Sequence, residues 1–155
     1  MNAPQGMNRQ AQDVVWLRRL QVEGVEKLVP HPIALSAVFF KGVEQFNDGL
    51  YWRCHETLEE VWRATEYPQR LFYYALIKVA VGFVHLGRHN ERSAISQFSA
   101  AEAYLKPFLP VYVGVRSEPL HREVTEWLRK LRGAAPLPWP LFDQAPRPKI
   151  QFAKA

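Results

Sequence analysis

Cysteine is nearly absent from this sequence: Cys54 stands alone among 155 residues. One thiol can build neither a disulfide scaffold nor a Cys-based zinc ribbon. Glycine is sparse as well, with 8 residues scattered singly, so there is no Gly-rich loop to cradle a phosphate. No basic segment leads into an apolar stretch and a small-residue cleavage site, and the expected location is therefore the cytoplasm. Charge of one sign is nowhere concentrated. Twenty basic against 15 acidic residues leave a net charge of +5, too little to imply nucleic acid. The basic groups Arg18–Arg19 and Arg129, Lys130 and Arg132 read as solvated helix faces. Long apolar runs are missing too. The nearest, LFYYALIKVAVGFVHLG, contains Lys78 and His85 and falls short of the ~20 residues a membrane span needs. A buried central helix is expected there, and no membrane partner. Nothing recurs at the 34-residue period of a helical repeat array.

What is present is an ordinary globular balance, 48% hydrophobic and 23% charged, in a chain the length of one domain. Proline placement divides it. Only Pro68 interrupts residues 33–106, whereas five of the 12 prolines crowd between Pro136 and Pro148. Five helices are expected in the body, at about 33–47, 50–65, 68–87, 91–106 and 117–132. Asn47-Asp48-Gly49 makes the first turn, Pro68 sits in the first turn of the third helix, and Asn90 caps the fourth. Val111, Val113 and Val115 alternate but are too few to read as a sheet. The fold class is all-α: a compact bundle over 31–133, with short connections. Residues 1–30 form an N-terminal extension, polar and disordered over 1–11, with a helix at 13–28 capped by Asp13. Residues 134–155 form an extended, non-helical Pro-rich tail.

Along the second helix, about 100° per residue puts Tyr51, Cys54, Leu58, Val61 and Trp62 on the buried arc. His55 falls at its edge, Glu59 about 40° further round, and Glu56 turns outward. The third helix carries a stripe of Tyr74, Lys78 and His85, with His89 one turn on. The short joint between the two helices makes them antiparallel, and facing them sets the His55/Glu59 edge opposite the Lys78/His85 stripe.

His-Glu-x-x-Glu resembles the His-Glu-x-x-His helix of zinc hydrolases. On that reading His55, Glu59 and His85 are ligands to a divalent metal, zinc, manganese or iron, and Glu56 is the base that takes a proton from bound water. The other reading is a hydrogen-bonded network in which Lys78 or His85 pairs with Glu59 and His55 closes the set. Cys54 points some 100° away from His55, which speaks against a Cys–His dyad. Trp52 lies off the apolar arc, and His31 and His121 read as loop or surface residues.

Phe46-Asn47, Gly49, Tyr51, His55-Glu56, Leu58-Glu59, Trp62-Arg63, Arg70, Leu76-Ile77, Ala80 and His85 together resemble the family known as domain of unknown function 309. The resemblance covers about 35–106. It implies a compact all-α domain and places the family's polar set on His55, Glu56, Glu59 and His85. Members often carry the label "predicted metal-dependent hydrolase". Lysine stands at 78 where the family's glutamine is expected, and Ser93 where a glycine is usual.

Two functions follow. One is a metal-dependent hydrolase at the His-Glu-x-x-Glu helix. The other is a non-catalytic helical interaction module whose His/Glu/Lys seam is structural, with an apolar tail, LPWPLF, that docks on a neighbour or on its own body. The apolar faces of such a bundle also allow a homodimer.

Overall fold

A computed structural model describes residues 8–154. Its architecture is an all-α bundle with one small hairpin. The expected disorder at 1–11 lies outside the described residues for 1–7, and from Arg9 onward the chain is helical.

Helix α1 runs Arg9–Glu23, capped by Asn8, whose side chain accepts from the Ala11 N–H at 2.8 Å. Asp13 is therefore not the cap. It sits a turn inside the helix and is buried. Gly24, at φ 87°, breaks the helix, and a single further turn, α2 (Val25–Leu28), follows. Helix α3 (Ala37–Asn47) starts at Ser36, whose hydroxyl takes the Phe39 N–H. The Asn47-Asp48-Gly49 turn, with Gly49 at φ 79°, reverses the chain into α4 (Tyr51–Arg63).

Helix α5 (Arg70–Gly87) begins two residues after Pro68, which lies in the preceding turn rather than in the helix. A proline there leaves its carbonyl free to accept the Leu71 N–H. By length and composition α5 could cross a membrane. Its apolar side chains are instead buried on nearly every face, Leu71, Phe72, Leu76, Val79, Ala80 and Leu86 among them, which makes it the central helix. It packs on α4 and on α6 (Glu91–Leu105), and α6 packs on α7 (Ser117–Leu131). Asn90 caps α6 by accepting from the Ser93 N–H.

Two expectations fail here. Val111–Tyr112 (β1) and Val115–Arg116 (β2) do pair, as an antiparallel hairpin. Gly114 (φ 79°) closes the turn, and the Ser117 hydroxyl, donating to the Phe108 carbonyl, pins its end. The tail is also partly helical. Trp139–Gln144 form α8, with Pro138 at the cap and Pro140 in the first turn, where a missing N–H costs nothing. Beyond α8 the chain is extended. Arg116 N–H donates to Gln151 O and Ala153 N–H to Gly114 O, so the tail adds itself to the hairpin edge. Phe142 and Ile150 join the core. The tail docks on the chain's own body.

Candidate functional site

The α4–α5 hairpin sets the register of the polar seam. Tyr51 packs on Phe83 and Trp62 on Tyr74, at ring separations of 5.2 and 6.4 Å. Part of the expected facing is present, since Glu59 and Lys78 line one cavity.

His55 and Glu59 do come together, with Nε2 3.2 Å from Oε1. His55 Nδ1 lies 2.9 Å from the Trp52 carbonyl, which only accepts, so Nδ1 carries a proton. Glu59 is likewise an acceptor, and the Nε2 contact is attractive only while that nitrogen is protonated too. The other Glu59 oxygen accepts from Arg63 at 3.1 Å. Glu56 is exposed and makes no hydrogen bond or ion pair among the described residues. His85 is half-buried. Its Nδ1 has no hydrogen-bond partner, and burial, with Arg88 nearby, holds its pKa below the ordinary value. Cys54 is fully buried, and burial pushes its thiol up to about 12, which leaves it inert as a nucleophile.

Among the described residues no three His, Cys, Asp or Glu side chains gather as a metal-binding group. The residues around Glu59 are moreover cationic. Arg63 is bonded to it, and a cavity of about 250 Å³ beside it is lined by Arg9, Trp62, Tyr74, Ile77 and Lys78. The donor set therefore does not fit a three-ligand divalent metal, whose first requirement is several anionic or neutral donors on one point.

Sequence reasoning missed the cluster that adjoins this cavity. Asp13, 1% exposed, accepts from Arg9 at 2.7 Å and from the Tyr67 hydroxyl at 2.5 Å. Burial raises its pKa against the pull of Tyr67, Arg9 and Arg70. Arg70 lies over the rings of Trp62 and Tyr67, at 4.2 and 4.8 Å, and Arg9 over Trp62 and Tyr74. Tyr104 packs on Tyr74, and burial, followed by the nearby Asp13 charge, lifts its hydroxyl to about 12. One signal was available: Arg70, Tyr74 and Lys78 recur every fourth residue, which puts them on one face of α5.

The remaining histidines take other places. His89, at φ 57°, leaves the helix, stacks on Trp139 at 4.6 Å and pairs with Asp143 at 2.8 Å. His121, read as a surface residue, is largely buried on α7, 3.6 Å from Glu102, while His31 is exposed in a loop as expected.

Residues 39–97, which hold most of α3, all of α4 and α5 and the start of α6, match the model of a domain of unknown function, DUF309. Over this stretch the chain is similar to the DUF309 family. No curated protein and no solved structure matches the chain. The matched region contains His55, Glu56, Glu59, Lys78 and His85. Arg9 and Asp13, which complete the cavity and its neighbouring cluster, come from α1, outside it.

Proposed function

We propose that this chain is a non-catalytic helical interaction module in which the His55–Glu59 seam fixes one packing of the α4–α5 hairpin. The observation that supports it is the set of partners around Glu59. Both of its oxygens are engaged by His55 and Arg63 on its own helix, and the next polar groups are the cations Lys78 and Arg9. That arrangement neutralises a half-buried carboxylate and orders the helix surface. It leaves no acidic group poised over a reacting atom, because Glu56 points to solvent.

The test is metal content by mass spectrometry, before and after incubation with zinc, manganese and iron, combined with thermal melts. Metal-free protein under every condition is expected. His55→Ala and Glu59→Ala should each lower stability by about 1 kcal/mol, the scale of a partly exposed charged hydrogen bond. Near-stoichiometric metal that disappears in His55→Ala and His85→Ala would overturn this reading. It would restore the hydrolase, with His55, Glu59 and His85 as ligands and Glu56 as base.

A further inference from the structure

The groups left unmatched around Lys78 on the α1–α4–α5 seam are donors. Lys78 is half-buried on the central helix, and its ammonium makes no hydrogen bond or ion pair among the described residues. It rests only against the Tyr74 ring, at 4.9 Å. The Trp62 indole N–H and the Arg70 Nε–H are buried without acceptors close by. The acceptors on this seam are already taken, Asp13 by Arg9 and Tyr67, and Glu59 by His55 and Arg63. The cavity bounded by Arg9, Glu59, Trp62, Tyr74, Ile77 and Lys78 therefore has one cation, Lys78, without a counter-charge, beside Arg9, which is paired with Asp13, and Glu59, which is engaged by His55 and Arg63. Desolvating a lysine with no counter-charge is costly, and the cost falls if an anion occupies the space beside it.

We infer that this cavity is a binding site for a small anion, held by the Lys78 ammonium and the Arg9 guanidinium. The ligand chemistry is compact, an inorganic phosphate or a short carboxylate. At about 250 Å³ the space lies below the ~300–1,000 Å³ of sites for drug-sized ligands. The cations themselves cover the Trp62 and Tyr74 faces, so no ring of the ligand stacks there. Ile77 supplies an apolar wall that keeps the charge contacts partly out of water, where they are stronger. This inference rests on the module reading in one respect: Glu59 must be neutralised by His55 and Arg63, leaving the cavity net positive.

The test is titration of full-length protein, first shown to be metal-free, with inorganic phosphate and then with acetate. It is followed by calorimetry at constant ionic strength in chloride. Saturable binding of at least one anion at millimolar affinity or tighter is expected. Lys78→Gln should weaken it at least tenfold, the scale of one charge-assisted hydrogen bond. Lys78→Arg should keep it within a few-fold. Lys130→Gln, which removes a similar ring-borne lysine over Trp127, should leave it unchanged. The inference is overturned by absence of saturable binding of both anions, or by equal weakening in Lys78→Gln and Lys130→Gln, which would mark diffuse charge attraction. Phosphate bound only after metal loading would overturn it together with the module reading. A metal-free protein that binds neither anion would overturn this inference alone.

Discussion

At the scale of single residues, His85 behaves differently from its neighbours on the seam. His55 has a carbonyl and a carboxylate, whereas His85 has a buried Nδ1 without a partner and Arg88 close by. Burial and then Arg88 hold its folded pKa below the ordinary 6.5. A histidine that is harder to protonate folded than unfolded takes up more protons on unfolding. Its penalty is absent above about 6.5 and grows as pH falls from there through the lowered folded value. Metal-free protein should therefore lose stability on acidification across that window more steeply than a His85→Leu variant. Urea denaturation at a series of pH values checks this, and superimposable slopes would show that His85 is not desolvated. The sequence placed His85 on the seam from its spacing, either as a ligand beside His55 and Glu59 or, with Lys78, as a candidate partner of Glu59. That spacing gives the face of α5, not the height at which α4 crosses it, and the height is set by Tyr51 on Phe83 and Trp62 on Tyr74.

At the scale of elements, the bundle depends on close approach of α5 and α6. A Cβ built on Gly82 would lie 2.4 Å from Cε1 and 2.5 Å from Cδ1 of Phe98, a ring that is fully buried. Gly87, at the end of the same helix, faces open space. Gly82→Ala should destabilise by about 1–3 kcal/mol through overpacking, despite alanine's better helix propensity. Gly87→Ala should be neutral or stabilising by up to ~0.5 kcal/mol. Chemical denaturation of the two variants in parallel checks the contrast, and similar effects would mean that Phe98 yields freely. Elements were legible wherever local chemistry decides them, as at Asn90 over Ser93 or at Gly49 in its turn. Asp13 was misread because a cap and a buried ion-pair partner are the same residue type in sequence. What distinguishes them is Tyr67, 54 positions away. The tail helix was missed for a related reason: proline excludes a helix interior but not its first turn, and both Pro138 and Pro140 stand at the start.

At the scale of the whole molecule, the tail completes the bundle. The Asn47 side chain takes the Ile150 N–H at 2.7 Å and donates to the Ile150 carbonyl at 3.1 Å, a two-point grip on extended backbone. Arg147 lies over Phe83 and Trp127 while donating to the Phe142 and Ala145 carbonyls, which satisfies the end of α8. Phe142 packs edge-on to Trp127, Phe152 meets Phe39 and Phe40, and Ile150 is 3% exposed. Asn47 sits in the Asn47-Asp48-Gly49 turn that the sequence marks between α3 and α4. The geometry adds that the turn also reads the C-terminal segment, which no local pattern could reveal. Burying Phe142 and Ile150 contributes ~1.5–3 kcal/mol each, so a chain ended after Gly133 should lose about 3–6 kcal/mol. That is a large share of the ~5–15 kcal/mol typical of a domain. Asn47→Ala removes the grip but leaves the apolar contacts, and should cost about 1–3 kcal/mol, chiefly through two buried backbone groups left without partners. Melting and limited proteolysis read the two effects separately. The truncated chain should melt well below the parent. Asn47→Ala should melt between the two and be cut faster within residues 133–138, the exposed connection to α8. A truncated chain that melts within about 2 °C of the parent would show the tail to be a passenger, and the core would then close without Phe142 and Ile150.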